Sequence, residues 1–439
     1  MISLRDEISL ENLLKLSSPR LGPITDIRFR PTTPGVELDW NSSTDLCRAR
    51  ILGGSDFRGF TVGHGQGPTP THALIKGLAE ALERYGGSFL PRHHQFGTFE
   101  ELGPKIRTPP FEDLQILREN QPGVQPKSYR RLRTTDPVAW VQGTEYTWGQ
   151  SKQEIWYPAP FLIVNQRVNS PYDVGTTSGF AFGSSEAQAN VKAICEVMER
   201  DAFAFSWWTH ADDYPNFSFA EAQDLLPPHI RQVTHKLPEH YWFVDYTDRW
   251  DVPCFAAFYF DDKTIPHIVC AAACALDPVQ ALALSAGELT RIVRSIENSL
   301  ESYKKQVVQP PYELTLTSFK QHIALGLIPE VGVRHRAMLS GPREFRRDQI
   351  RKAHAEDRAR SYEDRFDVLI QRVTDQKKSR LFLFDFTPDE AARHEFFLKR
   401  AKISTAVPIE CSYQVKPWGC PGLRDFDLSS LNDHPHCFP

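Results

Sequence analysis

No apolar run in the 439-residue chain is long enough to span a bilayer as a helix, which excludes the helical membrane classes. The N-terminus, Met1 to Leu16, mixes acids among its apolar residues and lacks a signal-peptide layout, so a cytoplasmic location is expected. Neither charge sign dominates. The 51 Lys and Arg against 55 Asp and Glu leave a formal charge of −4, so no global basic field points to nucleic acid or anionic lipid. None of the eight cysteines (Cys47, Cys195, Cys254, Cys270, Cys274, Cys411, Cys420 and Cys437) forms a CxxC pair or a tight Cys/His group with zinc-ligand spacing. Cys270-x-x-x-Cys274 sits in an apolar stretch, where small buried thiols are common, so the cysteines read as structural. The chain carries no Walker GxxxxGK[ST] loop and no strand-GxGxxG-helix unit, which excludes the two commonest nucleotide fingerprints. It also lacks a low-complexity linker.

What is present is an ordinary globular composition, 41% hydrophobic and 24% charged, with enough length for one large domain or two to three smaller ones. The 33 prolines argue for many loops between short strands. Pro19 to Pro34 reads as an extended, turn-rich entry. A Gly-rich turn follows from Gly59 to Pro70, and Pro70 opens a helix expected over Thr71 to Tyr85. A small-residue turn from Thr176 to Gly183, with Ser184 or Ser185 as cap, leads into a second helix over Glu186 to Trp207. A third starts at Asp277-Pro278 and runs past Arg294. Strands are expected at Tyr157–Ile163, Tyr241–Val244, Cys254–Phe260, His267–Ala272, Leu381–Asp385 and Pro408–Val415. Arg343 to Gln376 reads as one or two exposed helices, Asp389 to Lys402 as another helix, and the tail from Trp418 as irregular.

The chemistry lies in an echo between the first two helices. One reads Glu80-Ala-Leu-Glu83-Arg84, the other Glu196-Val-Met-Glu199-Arg200. Glutamates three apart share a helix face, with Cβ atoms about 5–6 Å apart, and like charges there repel. A divalent cation removes the repulsion, since magnesium takes carboxylate and phosphate oxygens together. The arginine after each pair offers a fork to a phosphate or to its own glutamates. A lone ExxER is usually a solvated helix face. Two copies, each behind a Gly-rich turn and set among alanine and other apolar residues, point to an interior cleft. The turns at Gly63-x-Gly-x-Gly67 and Ser178-Gly179 to Gly183 would present backbone N–H groups to an anion.

Gly65-Gln-Gly67 through Ala73, Glu80 and Glu83-Arg84-Tyr85 resembles the first signature of the YcaO family. Ser178-Gly-Phe-Ala-Phe-Gly183 with Glu196-Val-Met-Glu199-Arg200-Asp201-Ala202 resembles the second, and Asp277-Pro278, Ala281-Leu282 and Glu288 a third block. Trp140-Val-Gln-Gly143, Tyr157-Pro-Ala-Pro160, Asp245-Tyr-Thr247 and Val252-Pro253 are similar to further blocks, so the likeness runs from about Leu16 to the last residue. The resemblance implies a mixed α/β (α+β) YcaO-type ATP-binding fold of mixed sheets layered with long helices. It implies an N-terminal segment over 1–60, a nucleotide-binding core over 61–310 and a C-terminal α/β part with a Pro-rich tail over 311–439, all one domain unit. It also implies that Glu80, Glu83, Glu196 and Glu199 hold Mg2+ and ATP, with Gln66, Lys76, Arg84, Ser178, Arg200, Glu288 and Arg291 at nucleotide-side positions. Gln66, Lys76, Ser178 and Arg291 depart from the family's usual Lys, Ser, Asn and Gln.

The family activates a peptide amide oxygen by phosphorylation. In its azoline-forming branch, which makes thiazole/oxazole-modified peptides, a Cys, Ser or Thr side chain of a ribosomal precursor peptide attacks the preceding carbonyl. The oxyanion takes the γ-phosphate, and loss of phosphate leaves a thiazoline or oxazoline. Members of that branch typically end in Pro-x-Pro-x-Pro. This chain ends His434-Pro435-His436-Cys437-Phe438-Pro439, so Pro435, His436 and Pro439 become candidate catalytic residues, with Cys437 in place of the middle proline. At this length no fused leader-binding domain is expected. The expected partners are therefore an E1-like or ocin-ThiF leader-binding protein and a flavin (FMN) dehydrogenase, in a complex containing a homodimer of this chain. Thioamide- or amidine-forming relatives and a non-catalytic nucleotide-binding subunit are the alternatives.

Overall fold

The computed structural model of the chain describes residues 9–18, 22–33, 36–46, 62–119, 121, 129–149, 151–164, 171–172, 176–228, 230–231, 238–410 and 412–439. Cys47, Cys411, Pro19, Pro34 and the first residues of the Gly-rich stretch, Gly59 to Thr61, lie outside the described residues. In chain order the strands are β1 (Ile24–Thr33), β2 (Val36–Leu46), β3 (Val62–Gly67), β4 (His94–Gly97), β5 (Val138–Tyr146), β6 (Gln153–Pro158) and β7 (Phe180–Gly183). They continue as β8 (Asn216–Ser218), β9 (Tyr241–Asp245), β10 (Cys254–Phe260), β11 (Ile268–Cys274), β12 (Leu381–Asp385) and β13 (Phe397–Ile403). The three long helices are α1 (Pro70–Gly86), α2 (Glu186–Thr209) and α3 (Pro278–Asn298). The expected mixed α/β architecture is what forms.

The chain divides into two compact units. The first comprises Met1–Leu114, Leu132–Ile194 and Tyr362–Ile403, and the second Gln115–Arg131, Cys195–Ser361 and Ser404–Pro439. The expected segments 1–60, 61–310 and 311–439 follow chain order, whereas each unit draws on three separate stretches.

In the first unit, β1, β2 and β3 form an antiparallel sheet against which α1 packs. Thr69 caps α1 by accepting the His72 N–H at 3.3 Å, and Pro70 fills the first turn. Gly63, Gly65 and Gly67 do not make the turn expected of them; they are strand residues of β3. A Cβ on Gly65 would stand 2.0 Å from the Ala73 carbonyl oxygen and 2.3 Å from the Gly77 nitrogen. Glycine is required there because helix backbone lies directly on strand backbone. The second sheet runs β4-β5-β12-β13-β7, with β6 paired to β5. It buries Phe180, Phe182, Phe382, Phe384 and Leu398.

The second unit holds the antiparallel sheet β11-β10-β9-β8. Its three longer strands read as near-continuous apolar runs, and β10 and β11 are buried at every position. Helix α3 covers them, and Asp277 caps it by accepting the Val279 N–H at 2.9 Å. Cys195, Cys254, Cys270, Cys274, Cys420 and Cys437 are buried free thiols.

Three further expectations fail. Asp389 to Lys402 is not one helix: a single turn, Asp389–Ala392, gives way to β13. Pro408 to Val415 forms no strand among its described residues and ends in a 3-10 turn, Tyr413–Val415. The strand expected to run to Ile163 stops at Pro158, where the 3-10 turn Ala159–Phe161 begins; Pro158 and Pro160 carry no N–H for a ladder. Among the described residues no helix is long and apolar enough to cross a membrane.

Candidate active site

In the first unit, α1 presents Glu80 and Glu83 on one face, and backbone holds both. Glu80 Oε2 accepts the N–H of His64 from β3 at 2.6 Å, and its Oε1 takes the Arg84 guanidinium at 2.6 Å. Arg84 also donates to the Val62 carbonyl. Of the two roles open to that arginine, it serves its own glutamate and the strand beside it. Glu83 Oε1 accepts the N–H of Phe182 from β7 at 2.9 Å. The β3 N–H groups expected to meet an anion thus include one that already binds a carboxylate.

A side chain that sequence reading did not single out joins this cluster. Lys192, on the first part of α2, donates to the Phe182 carbonyl at 3.4 Å. Desolvation lowers its pKa below the usual lysine value; Glu83 opposes that shift and Lys76 adds to it. Lys192 is exposed on α2. Lys76 is exposed on α1. Gln66 and Ser178 are half-buried, in β3 opposite Asn41 and in the turn before β7. The left-handed Gly179, with φ of 82°, makes that turn possible.

In the second unit, α2 carries Glu196, Glu199 and Arg200, and α3 carries Glu288 and Arg291. The Glu199 carboxyl is pushed up to about 8, first by burial and then by Glu288 and Glu196; Arg200 and the Cys274 N–H oppose the shift. Three carboxylates therefore share one poorly hydrated field. A set of hard oxygen donors that repel one another suits Mg2+, so these residues fit the ion the sequence calls for. Arg291 reaches Glu288 Oε1 at 2.8 Å. Arg200 lies 3.4 Å from Glu199 Oε1, donates to the Pro439 carbonyl at 2.8 Å and sits 5.0 Å from the centroid of the Phe438 ring. Its contacts are the carboxylate and the tail. Asp201, next in sequence, is fully buried and holds Arg249 at 2.8 Å, Trp250 Nε1 at 2.6 Å and the Val407 N–H at 2.7 Å. It is a structural anchor for the same helix.

The tail of the second unit is not frayed. Trp207 Nε1 donates to the His434 carbonyl at 2.9 Å, and the Phe438 ring packs 4.3 Å from Phe203 on α2. Pro435 and His436 are buried, and Pro439 is half-buried against Arg200. His436 is 0% exposed, and both its ring nitrogens face protein groups: Nδ1 accepts the Phe438 N–H at 3.1 Å, and Nε2 lies 3.0 Å from Glu410. A ring so enclosed holds the tail in place.

Solved structures share this fold. A heterocyclase in complex with substrate and cofactor matches with a TM-score of 0.68 at 18% identity, over 99% of this chain and 58% of the other. This chain thus spans little more than half the length of that heterocyclase. YcaO from Methanopyrus kandleri, bound with AMPPCP and Mg2+, matches at TM-score 0.57 and 15% identity over 87% and 86% of the two chains. A chain of the E. coli microcin synthetase McbBCD complex matches at 0.54 and 13%, over 86% of each. No curated protein matches in sequence. The model of the YcaO cyclodehydratase, ATP- and Mg2+-binding, family matches residues 64–395, most of the chain, and the protein belongs to that family.

Proposed function

We propose that this chain catalyses ATP-dependent cyclodehydration of Cys, Ser or Thr residues in a ribosomal precursor peptide, by phosphorylating the amide oxygen that precedes them. The observation that carries the reading is the partly buried group of Glu196, Glu199 and Glu288, where burial first and then the two like charges raise the Glu199 carboxyl, an arrangement that suits a cation. Glu80, Glu83, Glu196 and Glu199 are the residues that would hold Mg2+ with ATP. The ion, when bound, neutralises charge on the transferring phosphoryl group. Lys192 and Lys76 supply further positive charge near Glu83. The substrate hydroxyl or thiol gives up its proton and attacks the amide carbon, the resulting oxyanion takes the γ-phosphoryl group as ADP leaves, and the nitrogen then loses its proton and forms the C=N bond of the azoline as the C–O bond breaks and phosphate departs.

Glu80 is fixed by the N–H of His64, and Glu83 by that of Phe182, so neither needs to reorganise when nucleotide arrives. The tail, with Pro435 and Pro439, stands next to Arg200 and through it next to Glu199. That placement supports a role for the tail in orienting groups at the phosphoryl-transfer centre.

A solved microcin synthetase complex carries pro-MccB17 bound. By analogy, this chain works in the cytoplasm with an E1-like or ocin-ThiF partner that captures the precursor's leader. It forms a homodimer within the complex, and a flavin dehydrogenase oxidises azoline to azole. Purified chain, partner, precursor and Mg-ATP should give a product lighter by one water per ring, with one phosphate released for each. ATP consumption without mass loss, or exchange of sulfur for oxygen in the product, would overturn the reading.

A further inference from the structure

The last residues of the second unit end among three histidines and a glutamate drawn from distant parts of the sequence. His322 and His335 lie on short helices, Phe319–Leu325 and Pro329–His335, and Glu410 lies in the irregular segment after β13. All are buried, as is His436. A ring nitrogen of His322, one of His436 and an oxygen of Glu410 fall within 4.8 Å of one another.

The hydrogen-bond directions fix the chemistry of this cluster. A backbone N–H can only donate, so His436 Nδ1, which meets the Phe438 N–H at 3.1 Å, is an acceptor and carries no proton. Its proton is therefore on Nε2, which lies 3.0 Å from Glu410 Oε1 without meeting it in a hydrogen bond. By the same rule, His335 Nε2 accepts the Cys437 N–H at 3.1 Å, and its Nδ1–H donates to the Val331 carbonyl at 2.8 Å. His322 Nδ1 meets the His436 carbonyl at 2.8 Å and must donate to it. The His322 and His436 rings stack 4.2 Å apart, and His335 stacks on Trp207 at the same distance.

A metal ion is the obvious alternative occupant for two histidines and a carboxylate. A ligating histidine, however, normally donates its second ring N–H to an acceptor. His436 does the reverse, so ligation through Nε2 would require the imidazolate.

We propose that His322, His335, His436 and Glu410 form a proton-holding latch that fixes the backbone of Cys437 and Phe438 and thereby positions the chain's last residues against Arg200. This rests on the reading that the tail takes part in the reaction. The latch works through backbone N–H groups: His335 takes that of Cys437 and His436 that of Phe438. Proline at position 437 could not serve, because it has no N–H. In this chain, histidine acceptors do the ordering that a proline-rich tail achieves through ring stiffness.

The latch has a pH dependence with a definite sign. Burial raises the Glu410 carboxyl to about 8; His322, Lys416 and Glu410's own backbone oppose the shift. Tyr413 also faces Glu410. Burial lowers His436 to about 3, with His335 and Arg200 adding to the shift and the Phe438 and Glu410 backbone groups opposing it. Glu410 binds its proton more tightly closed than open, so closure weakens as pH rises from the ordinary carboxylate range to about 8. His436 binds a proton more weakly closed than open, so closure weakens as pH falls below its ordinary value of 6.5.

Amide hydrogen exchange at Cys437 and Phe438, without nucleotide or peptide, reads the latch directly. Both amides should be protected. After correction for intrinsic base catalysis, opening should rise by about tenfold per pH unit from 6.5 towards 8, the slope of one linked proton. Glu410→Gln keeps a donor and an acceptor, so it should keep protection and abolish the slope. His335→Ala and Cys437→Pro should speed opening by about tenfold, the loss of one hydrogen bond. His335→Gln and Cys437→Ala should not. Stoichiometric zinc in the purified protein, unprotected amides, or an unchanged pH slope in Glu410→Gln would each overturn the latch. If the exchange results hold, His335→Ala should lower kcat while leaving KM for ATP unchanged. An unchanged kcat would count against the tail's part in the reaction and leave the latch standing.

Discussion

Replacing Gly65 with alanine tests whether residues 62–67 are a strand pressed under α1 or an anion-binding turn. The added Cβ would stand 2.0 Å from the Ala73 carbonyl oxygen, 2.3 Å from the Gly77 nitrogen and 2.8 Å from Ser42 Oγ. Ordinary van der Waals contact begins at 3.4 Å, and the two nearest atoms are backbone, which cannot swing aside. Helix and strand must therefore part by on the order of 1 Å. Overpacking of this kind costs about 1–3 kcal/mol. Parting also stretches the Ser42 Oγ–Ala73 carbonyl bond of 2.6 Å, worth about 1 kcal/mol. A total near 3 kcal/mol corresponds to a fall in Tm of about 6–12 °C for a domain of this size class. The same separation pulls the His64 N–H from Glu80, so KM for ATP should rise together with the loss of stability. Calorimetry and ATP kinetics on the purified variant check both. A variant with wild-type Tm and weakened ATP binding would refute the packing argument, because it would return the glycines to a loop.

Glu83→Gln and Glu199→Gln should each lower kcat/KM by about a hundredfold or more, since each removes a charge aimed at the phosphoryl centre. In nucleotide-free protein Glu199→Gln should raise Tm, because the fold holds that carboxylate against burial and two like charges; a clear fall in Tm would contradict the crowded-carboxylate picture. Lys192→Met should raise KM for ATP without unfolding the first unit, and an unchanged KM would remove Lys192 from the site. Asp201→Ala should destabilise by about 3–5 kcal/mol, because it leaves the Arg249 guanidinium, Trp250 Nε1 and the Val407 N–H buried without their acceptor; a loss under about 1 kcal/mol in thermal unfolding would contradict that.

The long helices were legible because their signals are local. Thr69 with Pro70, Ser185 and Asp277 with Pro278 mark the starts, and the apolar period marks the length. The carboxylate pairs were legible for the same reason. Lys192 could have been found too: Lys76-x-x-x-Glu80-x-x-Glu83-Arg84 and Lys192-x-x-x-Glu196-x-x-Glu199-Arg200 share one register, and the lysine is part of the repeat. Strand β13 was misread because its charges are buried. Lys399 is tied to Glu186 at 2.7 Å and Asp385 at 3.2 Å, and Arg400 lies over the Phe180 ring at 4.5 Å, so Leu-Lys-Arg-Ala-Lys resembles an exposed helix face although every residue but Lys402 is buried. The Gly-rich strand was misread because glycine serves close packing as readily as turns, and only the partner backbone tells them apart. The tail cluster was not legible at all. His322, His335, Glu410 and His436 share no local pattern, and tertiary folding alone brings them together.

The central claim is that this chain passes the γ-phosphoryl group of ATP to a peptide amide oxygen. The most direct measurement labels the amide oxygens of the precursor with oxygen-18 and follows the isotope through one turnover. The account predicts that one labelled oxygen leaves with each phosphate as each ring closes. Product rings accompanied by unlabelled phosphate, with the isotope released into water, would contradict it.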